Sequence, residues 1–303
     1  MLITTNWLAL LAAGLTVLES VTAVPVEAQS GVFDILTYNI AGLPALLSGS
    51  DPKNNIPVIA QRISQYSIVQ VQEDFAYNSL LYTPLSHPHR TPTSGNVPLG
   101  SGLNTLSHLP FVPSSLTRTT WSACWINVAD CLTPKGFTSL RLTLSPTITL
   151  DLYNLHADAG QASLDFKARQ KQFAQLAEYI ATYSTPTGNP VIITGDMNAL
   201  YSKEKDPMRE FVAKTGVRDV WTVLKRGGVQ PGVGETQECP FPWEDGMEEA
   251  ECELIDKVFW RDGTGVRLVP TAWENENARF LTETGEPLSD HYPVRAEFRW
   301  ETI

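Results

Sequence analysis

Several polar side chains in this sequence stand where apolar runs end or begin, and their types could support hydrolytic chemistry. They are Asn39, Glu73, His156, Asp196, Asn198, Asp256, Asp290 and His291. Carboxylate and amide oxygens suit Mg²⁺ or Ca²⁺ better than zinc. Two histidines beside acidic residues can transfer protons when water attacks phosphorus. Any one of these residues alone is more often a turn former or a helix cap. The whole set predicts metal-assisted hydrolysis, in which a divalent ion stabilises charge on phosphoryl oxygens and on the leaving group.

The elements that must position these residues are short apolar strands and two helices. Strands are predicted at residues 33–38, 68–71, 102–106, 138–144, 148–155, 191–194, 254–260 and 294–300. Helices are predicted at residues 57–66 and 163–183. In the second helix, an apolar stripe runs from Phe166 to Ile180, with Arg169 and Lys171 outside it. Because strands and helices are mixed throughout, residues 24–303 are expected to form one α/β domain with helices covering the sheets.

The N-terminus resembles a secretory leader. Residues 7–18 are almost continuously apolar, and residues 21–23 fit a small-residue cleavage site. We therefore predict a signal peptide over residues 1–23 and a secreted, extracellular protein. No Lys or Arg precedes the apolar run, so a buried helix or a membrane anchor is the alternative. The net charge of −11 argues against a protein that coats nucleic acid electrostatically.

The four cysteines fall into two local pairs. An even number of cysteines in a secreted chain suggests disulfides, and three pairings are possible. We expect Cys124–Cys131 and Cys239–Cys252, each closing a loop. A zinc site is disfavoured because no pair has a short C-x-x-C spacing and no histidine lies close by.

Six segments in order resemble the motifs of the endonuclease/exonuclease/phosphatase superfamily, which includes DNase I. They are residues 37–40, 71–73, 154–156, 195–198, 255–256 and 289–291. The resemblance covers nearly the whole chain after the leader. It implies a four-layer αββα sandwich, in which two packed mixed β-sheets are flanked by helices, and it implies a Mg²⁺-dependent phosphoric diester hydrolase.

Within that superfamily, short stretches are similar to neutral and bacterial sphingomyelinases. They are residues 38–44, 100–110, 131–137 and 289–294. This similarity implies a phospholipase C that acts on sphingomyelin or a related phospholipid at a membrane surface. A secreted DNase I-like endonuclease acting on DNA is the main alternative. A phosphatase acting on inositol phosphates and a non-enzymatic binding module are weaker ones, and no obligate protein partner is inferred.

The resemblance also implies ligands for the metal. Glu73 would be the principal carboxylate ligand of Mg²⁺, with Asn39 supporting it directly or through water. Mn²⁺, Co²⁺ or Ca²⁺ could replace Mg²⁺. Asp290 would be an acid near the metal, and the alternative for it is a turn residue that positions His291.

The resemblance assigns the acid–base and phosphate-binding roles as well. His291 would be the general base that activates water, and Asp256 would orient its imidazole. Asp196 and Asn198 would hold the phosphate and orient the nucleophile. His156 would contact the phosphoryl oxygens and stabilise charge in the transition state.

Several positions stay open at this level. A cationic phosphate contact is expected in the middle of the chain, and Arg90, Lys135 and Arg141 are all candidates. Asp74 follows Glu73 where many relatives have an apolar residue, so its charge could alter metal binding or face solvent.

Two further segments allow an ordinary and a functional interpretation. His87 and His89 are expected in a surface loop rather than at a metal. Residues 241–243 (Phe-Pro-Trp) could anchor the protein in a membrane interface, or could cover the core as a loop closed by a disulfide.

Overall fold

The computed structural model describes residues 28–126, 130–244 and 246–303. The predicted signal peptide over residues 1–23 lies outside the described residues. Among the helices in these ranges, none is both long and apolar enough to cross a bilayer.

The described residues form strands and helices that are mixed along the chain. In chain order the strands are β1 (Ser30–Asn39), β2 (Ile68–Gln72), β3 (His89–Arg90), β4 (Asn104–Ser107), β5 (Thr117–Thr120), β6 (Gly136–Ser145), β7 (Ile148–His156), β8 (Val191–Asp196), β9 (Arg218–Asp219), β10 (Gln237–Glu238), β11 (Cys252–Glu253), β12 (Asp256–Arg261), β13 (Val266–Asn275) and β14 (Val294–Thr302). The α-helices are α1 (Pro52–Ile63), α2 (Asn78–Tyr82), α3 (Ser163–Tyr183), α4 (Met208–Thr215) and α5 (Val220–Lys225).

Two six-stranded mixed sheets make up the centre of the fold. The first has the order β13-β14-β1-β2-β4-β3, and the second has the order β5-β6-β7-β8-β12-β9. In each sheet the two central strands are parallel, β1 with β2 and β7 with β8. Their neighbours run antiparallel. The carboxyl ends of the four central strands therefore meet the first residues of β12 and β14 at one edge.

The alternation of side chains along β1 explains how both faces of the first sheet become buried. Phe33 and Ile35 belong to the larger apolar cluster, which also contains the strands of the second sheet. Leu36 and Tyr38 point the other way and pack with Ile59 of α1. One helix layer thus covers the outer face of the first sheet.

The second sheet is covered on its outer face by α3 and α4. Phe173 of α3 packs edge-on against Phe211 of α4 at a centroid distance of 5.0 Å, and Phe211 packs against Phe259 of β12 at 6.0 Å. Between the sheets, Trp260 of β12 meets Phe298 of β14 at 6.2 Å. Two sheets with helices outside both of them confirm the predicted four-layer αββα sandwich.

Helix α3 has the bounds that its sequence predicts, but Arg169 does not lie on an exposed face. Its side chain is fully buried, and its guanidinium donates to Asp206 Oδ1 at 2.8 Å. It also donates to the carbonyl oxygens of Asp158 and Gly160. A buried cation needs this complete set of partners. Arg169 therefore fixes the loop after β7 to the segment before α4.

Other elements differ from their sequence-based predictions. Helix α1 spans Pro52–Ile63, not residues 57–66, because Pro52 occupies its first turn and Pro57 lies inside it. The edge strand β13 was not predicted, since Pro270 interrupts its pattern at a register shift that an edge strand tolerates. His87, expected in a surface loop, is buried with Nε2 2.8 Å from the carbonyl oxygen of Tyr66.

Both predicted disulfides are present. Cys124 is bonded to Cys131, and Cys239 is bonded to Cys252. Each bond closes a loop at the edge of the sheets where the polar residues gather.

Candidate active site

The sequence-predicted site residues lie at the common edge of the two sheets. Asn39 ends β1, Glu73 follows β2, His156 ends β7 and Asp196 ends β8. The antiparallel strand β12 begins at Asp256, which is paired with Asp196 across the ladder. His291 lies just before β14, which runs antiparallel to β1. Strand direction and register therefore bring together residues that are far apart in the sequence.

Asp196 lies at the centre of this group. Its Oδ2 accepts a hydrogen bond from Asn39 Nδ2 at 3.2 Å and lies 3.2 Å from His156 Nε2 and 3.6 Å from His291 Nε2. The carboxylate is almost completely buried. Burial alone would raise the pKa of Asp196, but the positive charge that His291 and His156 can carry holds this pKa below its ordinary range. Asp196 is therefore ionised and joins residues from both sheets.

His291 and Asp256 form a close hydrogen-bonded pair. Nδ1 of His291 lies 2.9 Å from Oδ2 of Asp256. This contact favours the tautomer with hydrogen on Nδ1, which leaves Nε2 directed toward Asp196. Burial lowers the pKa of His291, but the carboxylates of Asp256 and Asp196 outweigh it and hold the pKa well above its ordinary value. The pair has the geometry of a histidine base with an orienting carboxylate.

Glu73 is held beside Asn39 by a strained turn. Asn39 Nδ2 donates to Glu73 Oε1 at 3.3 Å. Glu73 has a φ of 58°, which is uncommon for a residue other than glycine. Gly42 allows this turn, because a Cβ there would lie 2.4 Å from the carbonyl oxygen of Glu73. Strain retained at a carboxylate beside a cluster of acids is typical of a functional position.

Asp74 is buried and supports the same turn, so the interpretation that it faces solvent is wrong. Its Oδ2 accepts hydrogen bonds from Asn78 at 2.6 Å and Asn104 at 2.7 Å. Burial raises the pKa of Asp74 to about 6, against the lowering effect of these two amides. Its contacts tie the turn after β2 to the start of α2 and to β4.

Lys135 is the one of the three cationic candidates that reaches the site. Its Nζ lies 3.0 Å from His156 Nε2, and it forms an ion pair with Asp130. Arg90 instead donates to backbone carbonyls, including that of Leu85 at 2.9 Å. Arg141 lies along β6, away from this edge, with Asp151 at 3.4 Å. Of the three candidates, Lys135, in the loop before β6, is therefore the one that lies beside the site residues, and its contact with phosphate stays a prediction.

Two residues at the site were not singled out in the sequence. Asp130 pairs with Lys135 and accepts a hydrogen bond from the backbone of Ala159 at 2.9 Å. The indole of Trp121 donates to the carbonyl oxygen of His156 at 2.7 Å. Trp121 precedes the first disulfide loop, and Asp130 lies within it. Because this loop leads into the strand paired with β7, their place in the sequence was the signal that could have identified both residues.

Asn198 and Asp290 are at the edge of the cluster. Asn198 has a φ of 47°, and its side chain donates to the carbonyl oxygen of Ala157 at 3.2 Å. Asp290 is exposed and lies against Gly49 in the loop after β1. The hydroxyl of Ser289 donates to the carbonyl oxygen of Asn39 at 2.7 Å and fixes the chain beside it.

A sequence model described as Endonuclease/Exonuclease/phosphatase family 2 matches residues 53–229, more than half of the chain. This protein belongs to the endonuclease/exonuclease/phosphatase family. Relatives in the family include sphingomyelinases from Mycobacterium tuberculosis and Mycobacterium bovis, each 37% identical over 294 residues. The match covers 94% of this chain and 56% of each relative, so the chain spans about half the length of the curated relatives it matches.

Solved structures show the family fold at low sequence identity. Sphingomyelinase C from Streptomyces griseocarneus superposes with a TM-score of 0.60 at 19% identity, covering 88% of this chain and 99% of that one. Beta toxin from Staphylococcus aureus with bound magnesium ions gives 0.62 at 15% identity, with coverage of 88% and 99%. TDP2 from D. rerio, complexed with a single-strand DNA product, gives 0.63 at 16% identity, with coverage of 88% and 98%.

The donor groups of this family member fit a hard divalent cation. Within the described residues, single ligand atoms of Asp196, Asp256 and His291 all lie within 4.8 Å of one another. Glu73 lies next to this group through Asn39, whose amide hydrogens face both Glu73 and Asp196. Carboxylate oxygens, here those of Asp196, Asp256 and Glu73, are the ligands that Mg²⁺ and Ca²⁺ prefer. Asn39 in this arrangement holds the two carboxylates in place.

The segment at residues 241–243 lies beside His291, at one side of the candidate site. The rings of Phe241 and Trp243 pack on Tyr292 at centroid distances of 5.0 and 5.7 Å. Phe241 also lines a cleft of about 180 Å³ together with Asp256 and His291. A role for this segment as a membrane anchor stays a prediction.

Proposed function

We propose that this protein is a secreted, metal-dependent phosphodiesterase that acts as a sphingomyelinase-like phospholipase C and releases the phosphorylated headgroup. The observation that carries this proposal is the arrangement around Asp196 Oδ2, where Asn39, His156 and His291 from both sheets lie within 3.2 to 3.6 Å. The 37% identity to mycobacterial sphingomyelinases over 94% of the chain supports the lipid substrate.

His291 acts as the general base. In the neutral imidazole, Asp256 accepts the hydrogen on Nδ1 at 2.9 Å, and the lone pair on Nε2 can take a proton from water. Because the neighbouring carboxylates raise the pKa of His291, this neutral form becomes the major one only at alkaline pH. His291 is the more exposed member of the pair, at 17% against 3% for Asp256, as a base that must meet water requires. The buried carboxylate of Asp256 then stabilises the imidazolium that forms.

His156 and Lys135 bind the phosphoryl oxygens from the opposite side. They lie 3.0 Å apart, because His156 ends β7 and Lys135 immediately precedes the antiparallel strand β6. Donors fixed in a buried site stabilise charge that develops on oxygen in the transition state. Asn198 and Asp196 orient the water and the phosphate between these two sides.

Glu73 would hold the metal, with Asn39 and Asp290 supporting its position. Asp256 and His291, which belong to the neighbouring group of possible ligands, serve instead as the acid–base pair. Mg²⁺ is the ion we propose, and Mn²⁺, Co²⁺ or Ca²⁺ could substitute for it. When bound, the ion supplies positive charge to the phosphoryl oxygens and to the leaving group. The chain itself contributes the strained turn at Glu73 and the hydrogen bonds of Asn39, which keep two carboxylates close before the ion binds.

Secretion is supported by the apolar leader over residues 7–18 and by the two disulfides. The net charge of −11 favours zwitterionic phospholipid surfaces over anionic ones.

The test is a paired substrate assay. Purified protein with Mg²⁺ should release phosphocholine from sphingomyelin vesicles, and EDTA should abolish the release. His291→Ala and Glu73→Gln should each reduce turnover by more than about 100-fold. Glu178→Gln, on the exposed face of α3, is the matched control and should keep wild-type turnover.

Two results would contradict the proposal. Robust nicking of supercoiled DNA without release of phosphocholine would replace the lipid substrate with a nucleic acid. Full turnover by His291→Ala on the preferred substrate would show that the chemistry takes place elsewhere.

A further inference from the structure

An apolar cleft lies beside the site, between the loop that precedes β4 and the loop that joins β5 to β6. It has a volume of about 450 Å³. Its apolar lining is formed by Pro98, Leu99, Trp121, Leu132 and Pro134, and Lys135 also lines it. A second space of about 170 Å³ shares Leu99 and Pro134 and extends the cleft.

The side chains on the rim of this cleft are unusually exposed for their type. Leu99 is 84% exposed, and Leu132 is 59% exposed. Leu99 lies on a loop and Leu132 ends a 3-10 turn (Asp130–Leu132), and neither belongs to the cores that stabilise the fold. Exposed leucines that line one concave surface are a feature of sites for apolar ligands.

The cleft is continuous with the phosphate-binding side of the site. Lys135 lines it and contacts His156 Nε2 at 3.0 Å. Trp121 lines it as well, and its indole donates to the carbonyl oxygen of His156 at 2.7 Å. A molecule whose phosphate lies at His156 and Lys135 would therefore have its adjoining portion in this cleft.

We infer that this cleft binds the hydrocarbon part of a phospholipid substrate next to the bond that is cleaved. The inference rests on the proposed function and assigns a part of the substrate to named residues. Among the described residues that line the cleft and its extension, Lys135 and Arg118 are the basic ones. Asp130 neutralises Lys135, and the guanidinium of Arg118 donates to the carbonyl oxygens of Leu103 and Pro92. A polynucleotide would need further cations for its phosphates, whereas an alkyl chain needs only the apolar surface that Leu99 and Leu132 present.

The experiment measures the dependence of kcat/KM on chain length. Sphingomyelins with N-acyl chains of two, four, six and eight carbons are used below their critical micelle concentrations, so that no vesicle surface is involved. Each added methylene that enters the cleft should raise kcat/KM by roughly fourfold. The double variant Leu99→Ser/Leu132→Ser should flatten this increase while keeping wild-type turnover of the two-carbon substrate.

The matched control is Ile303→Ser. Ile303 is 68% exposed, and it follows β14 at the opposite end of the first sheet. This variant should keep the full chain-length dependence. Wild-type turnover of the two-carbon substrate by each variant also shows that the site is intact.

The outcomes separate this inference from the proposed function. If the wild type cleaves these lipids with no dependence on chain length, or if the double variant keeps the wild-type dependence, the cleft does not bind the chain. If the wild type cleaves none of them, the proposed function fails together with the inference. A double variant that is slowed only on DNA would assign the cleft to nucleic acid and overturn the inference.

Discussion

Replacing Asp256 by asparagine removes a charge from behind His291 while keeping the shape of the side chain. In the proposed reaction, His291 becomes positively charged when it takes a proton from water. The carboxylate of Asp256, 2.9 Å from Nδ1 and only 3% exposed, faces that charge. The asparagine side chain can still accept a hydrogen bond from Nδ1, but it cannot stabilise the imidazolium to the same extent.

The size of the effect follows from the distance and the burial of the pair. With the two charge centres about 4 Å apart and an effective dielectric constant of about 20, their attraction is about 4 kcal/mol. Since about 1.4 kcal/mol corresponds to a tenfold change in rate, kcat should fall by about 10³-fold. KM should change little, because Asp256 lies behind the histidine and does not reach the substrate.

The assay is steady-state phosphocholine release by Asp256→Asn and by Asp256→Ala across a range of pH. The carboxylate of Asp256 is one of the groups that raise the pKa of His291. Without it this pKa falls, so the acidic limb of the kcat/KM profile should move to lower pH. Thermal unfolding checks that both variants are folded. A folded Asp256→Asn variant with kcat within tenfold of wild type, and an unchanged acidic limb, would refute the orienting role.

Two predictions concern the stability of the scaffold. Arg169→Met should lower the free energy of unfolding by about 4 kcal/mol, because it leaves Asp206 buried without its partner, and Arg169→Met/Asp206→Leu should restore part of this loss in urea unfolding. Burial lowers the pKa of His87 to about 4, against a contrary effect of its hydrogen bond to Tyr66. Its neutral form stabilises the fold above pH 6.5, and this contribution is lost as pH falls from 6.5 toward 4. Over this pH range, the free energy of unfolding of His87→Gln should therefore fall by about 2 kcal/mol less than that of the wild type. Equal falls in the two proteins would contradict this interpretation.

The strands could be predicted because each central one is a short apolar run followed by a polar residue. For the same reason, His156 and Asp196 could be predicted at strand ends, although the sequence did not show that these ends are paired. Helix α3 was predicted to the residue, since its amphipathic pattern is long. Edge strand β13 was missed because Pro270 and its half-exposed side chains do not produce a buried-strand pattern.

The open choice among three cations could not be settled from the sequence. Arg90, Lys135 and Arg141 are equally plausible until the register of β6 on β7 is known. That register pairs Phe137 with Leu155, which places Lys135 beside His156. It also pairs Arg141 with Asp151, well along the strand from the site. Pairing between strands is a tertiary property, and local patterns do not encode it.

Burial of single charged residues was the other property that the sequence did not reveal. Arg169 and Asp74 occupy positions that composition alone would leave in water, yet both are buried. In each case the compensation comes from partners distant in sequence, Asp206 for Arg169 and Asn104 for Asp74. Buried charges persist where such partners are complete.

The site depends on contact between the two sheets, and this explains why buried polar side chains join the sheets behind it. Gln72 of β2 donates to Asn154 of β7 at 2.7 Å, and Thr194 of β8 donates to Gln70 of β2. An apolar interface would let the sheets slide, since dispersion contacts have little directional preference. Hydrogen bonds between fixed positions allow one register only. Because Asn39 and Glu73 come from one sheet, and His156 and Asp196 come from the other, that register sets the distances on which the proposed chemistry depends.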